Sequence, residues 1–211
     1  MNCLLVWDEK TICLLDTGVG SKDLGKLSYY RFHNLKNIVE LIRSHGFEPE
    51  QITDVVLSHL HFDHCGGCTY TDPSGKMQLT FPNARHWVSK AQWDSYLHPN
   101  ELEADAFRPQ DMMPVAEAGL LYLIDTDSKL SENFQLKLFD GHTAGQIVSV
   151  IETRNNETCL FPGDVIPTRA HISDHWISAY DIEPLKSLAA KKQLKKLIGN
   201  ENVMSVFYHN V

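Results

Sequence analysis

Ser58-His59-Leu60-His61-Phe62-Asp63-His64-Cys65-Gly66-Gly67 places three imidazoles and a carboxylate within six positions. The run follows Thr53-Asp54-Val55-Val56-Leu57, which reads as a short buried strand. Imidazole nitrogen and carboxylate oxygen suit zinc and related divalent ions, so a loop loaded with them at a strand's mouth reads as the start of a metal site. Alternate residues of a loop can point to one place. His59 and His61 can therefore share one ion, while Asp63 and His64 point elsewhere and can begin a second site. The chain has 11 His in 211 residues, so scattered histidines are expected. Four donors at this spacing, directly after an apolar strand, are a stronger signal.

One loop cannot complete two sites, since each ion needs about three or four protein ligands. Three further donors stand at the ends of strand-like runs. His142 closes Phe134-Gln135-Leu136-Lys137-Leu138-Phe139-Asp140-Gly141-His142, where Leu136 and Leu138 alternate with polar residues. Asp164 closes Thr158-Cys159-Leu160-Phe161-Pro162-Gly163-Asp164, and His209 closes Val203-Met204-Ser205-Val206-Phe207-Tyr208-His209. Each alone would be an ordinary turn or cap residue. Together they repeat one pattern, a strand and then a ligand.

The His-x-His-x-Asp-His run, Gly141-His142-Thr143, Gly163-Asp164 and Tyr208-His209 resemble the metallo-β-lactamase superfamily, as does Asp16-Thr17-Gly18 near the start. The match spans nearly the whole chain. The resemblance implies an α+β fold, a four-layer αββα sandwich with the site at one edge between the sheets. It also implies two divalent ions, zinc foremost, with manganese or iron(II) as alternatives. His59, His61 and His142 would hold one ion, Asp63, His64 and His209 the other, and Asp164 would bridge them. Asp16 would stand behind the ligands and orient the histidine loop.

Within the superfamily, several stretches resemble the N-acyl homoserine lactonase and methyl parathion hydrolase branch. They are His61 to Gly67, Phe81-Pro82-Asn83-Ala84, Pro162 to Thr168, Trp176-Ile177-Ser178-Ala179-Tyr180-Asp181 and Phe207-Tyr208-His209. The implied enzyme is a dinuclear hydrolase whose bridging hydroxide attacks a lactone or ester. Asp164 would be catalytic as the bridge, and Asp63, or else a metal-bound water, would pass a proton to the leaving group. No Gly-x-Ser-x-Gly elbow offers a competing nucleophile. A glyoxalase II-like thioesterase uses the same ligand set, and a degenerate metal-binding scaffold would keep the fold without turnover. An oxygen-reducing diiron protein normally has Glu where His61 stands.

Three positions depart from the family pattern. Gln146 stands where relatives often carry His, and Asn210 where Asp is common; neither position is a ligand. Pro167 occupies the place of a tyrosine that some lactonases set near the substrate, three residues after the bridging Asp. This bears on the substrate more than on hydrolysis. Trp176 and Tyr180 are the nearest aromatic candidates for the substrate pocket, among Trp87, Trp93, Phe107, Met112 and Met113.

With 211 residues, 43% hydrophobic and 22% charged, the chain fits one domain, residues 1–211, with a sizeable core. No stretch approaches the ~20 apolar residues of a membrane span. No charged start leads into an apolar signal region. A net charge of −8 disfavours a nucleic-acid surface. Five cysteines do not make a disulfide framework; Cys65 and Cys68 read as reduced thiols, and the location as cytoplasmic. The resemblance implies a small-molecule lactone or ester substrate; the charge disfavours nucleic acid, no stretch spans a membrane, and a homodimer is one arrangement open to the chain. The homodimer would cover exposed edges, because relatives extend beyond both ends and the chain reads as a short or incomplete form.

The pattern along the chain predicts two strands around Asp8-Glu9-Lys10 and a helix from Asn34 to His45, capped by Asn34 and ended by Gly46. A strand at 84–88 leads into a helix capped by Ser89. Residues 97–119 read as short helices and loops covering the site. Strands follow at 120–124, 134–139, 146–152 and 158–161. Lys186, Lys191, Lys192, Lys195 and Lys196, with Leu185, Leu188, Leu194, Leu197 and Ile198, form an amphipathic helix with a solvated basic face.

Overall fold

The computed structural model describes residues 1–22, 24–198 and 203–210, without the side chains of Leu197 and Ile198. Among these residues the chain builds two five-stranded sheets. The first has the order β1 (Leu4–Trp7), β2 (Ile12–Leu15), β3 (Asp54–Val56), β6 (Arg85–Ser89), β7 (Leu121–Ile124). The second runs β12 (Val203–Ser205), β11 (Thr158–Phe161), β10 (Gln146–Glu152), β9 (Phe134–Phe139), β8 (Ser128–Ser131). A small hairpin, β4 (Thr69–Thr71) and β5 (Met77–Leu79), lies apart from both. The helices are α1 (Ile38–Ser44), α2 (Phe62–Cys65), α3 (Lys90–Leu97), α4 (Pro109–Glu117) and α5 (Pro184–Ile198).

The period-2 geometry of the strands sorts their side chains into layers. In β2, Cys13 and Leu15 join a cluster with Phe134, Leu136, Ile147, Ile151 and Phe161 between the sheets. Leu14 points the other way, into a cluster with Ile42 of α1 and Met112 and Val115 of α4. In β10, Ile147 and Ile151 face the first sheet, whereas Val148 and Val150 meet Ala190 and Leu194 of α5. Both faces of both sheets are therefore covered, and the architecture is the αββα sandwich that the motifs implied. Truncating a core residue such as Leu136 or Ile147 to alanine would cost about 2–5 kcal/mol.

The strand leading to the histidine loop is central in its sheet, paired in parallel with β2 and β6. Its burial on both faces explains why Val55, Val56 and Leu57 form a run rather than an alternation. The two glycines that close the loop are required by packing. A Cβ on Gly66 would sit 2.3 Å from the Val19 carbonyl oxygen, and one on Gly67 2.2 Å from that of Thr17. The segment after Asp16 thus presses on the turn after α2, with Gly67 N donating to Gly18 O at 3.0 Å.

Local details differ from the sequence pattern. Helix α1 begins at Ile38, not near Asn34, because the Asn37 side chain caps it by accepting from Val39 N at 2.9 Å. Asn34 has a φ of 54° and lies outside the helix. Ser89 caps α3 as expected, accepting from Gln92 N at 3.0 Å. The last strand stops at Ser205, and Tyr208 turns inward instead of continuing it. The basic face of α5 is not wholly solvated. Lys191 is 2% exposed, and its ammonium donates to the carbonyls of Ser173, at 2.7 Å, and Trp176.

His86 is fully buried, and its Nδ1 faces the Ala84 carbonyl at 3.0 Å. Burial disfavours the imidazolium and lowers its pKa to about 4. Between pH 6.5 and 4 the unfolded chain binds a proton here that the folded chain does not, so stability falls as pH falls. The full difference is about 3 kcal/mol. Denaturant titrations at pH 7 and pH 4 should show wild type losing about that much more than His86→Leu. Equal losses would remove His86 from the account.

Candidate metal centre

All seven sequence-predicted donors converge at the ends of β3, β9, β11 and β12. Three sets have their donor atoms within 4.8 Å of one another: His59, His61 and His142; His59, His64 and Asp164; Asp63, His64 and His209. His59 Nε2 lies 3.0 Å from His61 Nδ1, which is 3.3 Å from His142 Nε2. Asp164 stands among the sets. Its Oδ1 is 3.5 Å from His64 Nε2, and its Oδ2 is 3.5 Å from His142 Nε2 and 3.2 Å from His209 Nε2. Asp63 Oδ2 is 3.7 Å from His64 Nε2 and 3.5 Å from His209 Nε2. The first two sets are buried, and the half-buried Asp63 and His209 give the cluster its open side.

The backbone that carries these groups is itself held. His61 caps the single turn of α2, so Asp63 and His64 project from a helix while His59 and His61 project from extended chain. Asp164 sits on a 3-10 turn, Gly163–Val165, opened by Gly163 at a φ of 52°. A Cβ there would strike Gln146 and Ser58. With its carboxamide oxygen toward the turn, Gln146 accepts from the backbone N–H groups of Asp164 and, at 3.1 Å, Val165. His209 N donates to Pro167 O at 2.9 Å, and Asn2 N donates to Tyr208 O at 2.8 Å. Tyr208 is fully buried, stacks on His64 with centroids 3.9 Å apart, and donates its hydroxyl to the Asp63 carbonyl.

Hydrogen-bond partners settle which ring nitrogens face inward. Asp16 accepts from Ser58 N at 2.7 Å and Ser58 Oγ at 2.8 Å, and its Oδ2 is 2.8 Å from His64 Nδ1. A carboxylate only accepts, so Nδ1 of His64 carries the hydrogen and Nε2 faces the cluster. Ser58 Oγ, already donating to Asp16, accepts from His59 Nδ1 at 3.1 Å, which leaves His59 Nε2 facing inward. Asp181 Oδ1 lies 3.0 Å from His142 Nδ1, with the same result for His142. Glu103 Oε1 lies 3.4 Å from His61 Nε2, so the inward nitrogen of His61 is Nδ1. Four imidazoles therefore each turn one nitrogen into the cluster that holds Asp63 and Asp164.

The electrostatics call for positive charge. Burial opposes an imidazolium at His64, but Asp63, Asp164 and Asp16 outweigh it and push its pKa well up. Burial, then the neighbouring imidazoles, hold His59 well down, and burial also lowers His61. Burial works against the Asp164 carboxylate, yet His64, His209 and His142 hold it well below the usual range. His64 Nε2 and Asp164 Oδ1 are buried without a hydrogen-bond partner. Orphaned nitrogen and oxygen donors aimed into one space, with a donor set of imidazole and carboxylate, fit divalent cations such as zinc.

Of the other predicted residues Trp93, Phe107, Met112, Trp176 and Tyr180, Phe107 alone meets the cluster. Trp176 is 59% and Tyr180 72% exposed, on the loop between Asp164 and α5. Phe107 packs on the His61 ring at 5.3 Å, Met112 is core, and Trp93 stacks on Tyr96. Cys65 and Cys68 are buried free thiols, and their pKa values are raised by burial. The sequence does not single out Glu103, and Ser58, Thr143 and Asp181 stand there only inside motifs, without a role. An apolar wall adjoins the open side: Phe62 packs with Leu27, Phe32 and Tyr30, the last at 5.1 Å between rings. Beside it, Leu24, Leu27, Ser28, Arg31, Phe32 and Leu35 line a cleft of about 290 Å³.

A family model described as the metallo-beta-lactamase superfamily matches residues 2–78. A probable metal-dependent hydrolase from Staphylococcus aureus superposes with a TM-score of 0.87 at 24% identity, over 99% of this chain and 73% of that one. With the αββα layers and the histidine–aspartate motif at their edge, these matches show the metallo-β-lactamase fold, the family model covering the first third of the chain. Its relatives include the N-acyl homoserine lactonase AiiA of Bacillus thuringiensis subsp. kurstaki, 24% identical over 221 residues, 99% of this chain and 80% of the relative. The dizinc quorum-quenching lactonase AidC, solved with a product bound, shares 25% identity and a TM-score of 0.78, over 100% of this chain and 72% of that one. Among the described residues, no helix is long and apolar enough to cross a membrane.

Proposed function

We propose that this chain is a dinuclear metal-dependent hydrolase that opens a lactone or a related ester. What carries the proposal is the inward convergence of His59, His61, His142, His64 and His209 on Asp63 and Asp164. His59, His61 and His142 would hold one ion and Asp63, His64 and His209 the other, with Asp164 between them; zinc suits these donors, as do manganese and iron(II). Such ions, when bound, lower the pKa of a bound water to about 7 and polarise a carbonyl.

The chain's own residues do the rest. The half-buried carboxylate of Asp63 lies on the open side, where it can accept a proton and deliver it to the leaving alkoxide. The aromatic wall of Phe62, Phe32 and Tyr30 gives an apolar acyl group a surface next to that carboxylate. Names carried by AiiA and AidC support a lactone as substrate.

The test is elemental analysis of protein purified without added metal, with turnover of an N-acyl homoserine lactone, an aryl ester and S-lactoylglutathione on the same sample. About two divalent ions per chain, with lactone opening, is the expected result. Two ions with thioester turnover alone would move the substrate to the glyoxalase II type. No ion after reconstitution would overturn the metal centre.

A further inference from the structure

Glu103 is an unexpected group to find beside His61. It belongs to the polar segment between α3 and α4, forty-two residues from the histidine, yet it is only 2% exposed. Among the described residues, three donors face its side chain. Asn100 Nδ2 donates to Oε2 at 2.6 Å, Thr143 Oγ1 donates to Oε1, and His61 Nε2 faces Oε1 at 3.4 Å. Asn100 also holds the turn itself, its Oδ1 accepting from Leu102 N at 2.8 Å and Glu103 N at 3.1 Å. Thr143 is the residue after His142, so the carboxylate links the His61 ring to the loop that carries a second inward histidine.

We propose that Glu103 is a positioning residue that fixes the Nε2–H form of His61, turning Nδ1 toward His59 and His142, and joins the His61 ring to the His142 loop through Thr143. His61 is the one that needs such a partner most. It faces inward through Nδ1 while His59, His64 and His142 face inward through Nε2. Ring inversion or proton migration would present the wrong nitrogen, and an ion held by His59 and His142 would lose its third imidazole. Phe107 covers the ring but cannot choose between nitrogens. A carboxylate can, because it only accepts.

The proposal rests on the metal reading for its functional consequence, but not for its physical core, and the test separates the two. Glu103→Gln keeps the shape and can either donate or accept, so it relaxes the choice without opening a hole. The first readout is the tautomer of His61 in metal-free protein, from long-range proton–nitrogen correlations on ¹⁵N-histidine-labelled samples. Wild type should show the Nε2–H form, and Glu103→Gln should show the Nδ1–H form as well. The second is zinc affinity by competition with a chromophoric chelator, expected to fall by about 10–100-fold in the variant. An unchanged His61 tautomer in folded Glu103→Gln, or an unchanged zinc affinity alongside a changed tautomer, would overturn the proposal. If wild type binds no zinc, the metal reading fails alone and the nitrogen spectra still decide the tautomer.

Discussion

Asp164→Ala should lose bound metal and lower turnover by about 10²–10³-fold, in the range produced by removing one major electrostatic group. The size follows from position. The two oxygens of Asp164 face different imidazoles, His64 on one side and His142 and His209 on the other. Removing the carboxylate takes a donor from both sides at once and leaves three imidazoles facing a void. Asp164→Asn should keep the shape, since Gln146 holds the turn through the backbone, and should still bind metal more weakly. Elemental analysis and turnover on each variant, with circular dichroism to establish folding, check this. Full metal content with normal turnover in Asp164→Ala would remove Asp164 from the centre.

Lys22→Met should destabilise the fold by about 3–5 kcal/mol, the cost of breaking a buried ion pair by removing one partner. Lys22 is 5% exposed. Its ammonium lies 3.1 Å from Asp111 Oδ1, 2.6 Å from the Thr69 carbonyl, and against the Gly66 carbonyl. One cation thus joins three elements: the strap after Asp16, the turn after α2, and α4. For a chain of this size the loss corresponds to a fall in Tm on the order of 10 °C. Denaturant unfolding at pH 7 measures it. Lys22→Met with Asp111→Leu should recover part of the loss, because apolar replacement of both members relieves the buried charge. A loss under about 1 kcal/mol in the single variant would show that the pair contributes as little as a surface one.

What could be read from the chain divides by distance along it. His59, His61, Asp63 and His64 are visible because their spacing is local and the strand before them is apolar on both faces. His142, Asp164 and His209 are visible because each ends a recognisable strand. The groups that choose their ring nitrogens are not. Glu103 lies 42 residues from His61 and Asp181 39 from His142, in stretches without periodicity. An isolated Glu in a polar loop carries no mark of burial; only the folded chain brings Thr143 and Asn100 to it. Lys191 was hidden for a related reason. Its place in a lysine-rich helix looks solvated, but the Ser173–Trp176 loop folds over it. The short hairpin at Thr69 and Met77 was missed because three-residue strands leave too few positions for alternation to register. Asn37 rather than Asn34 caps α1, a choice between two good caps three residues apart that propensity alone cannot make.

The histidine–aspartate cluster draws on both sheets, His59 from the end of β3 and His142, Asp164 and His209 from the ends of β9, β11 and β12. Anything that binds there binds the two halves of the sandwich to each other. By mass action an ion at a hundred times its Kd adds about 2.7 kcal/mol to the folded state. Because both sheets contribute candidate donors, that energy would oppose their separation rather than the fraying of either alone. Slow amide exchange in β3 and β11 would then deepen in step as metal is added, which makes the centre a clasp on the fold as well as a place for chemistry.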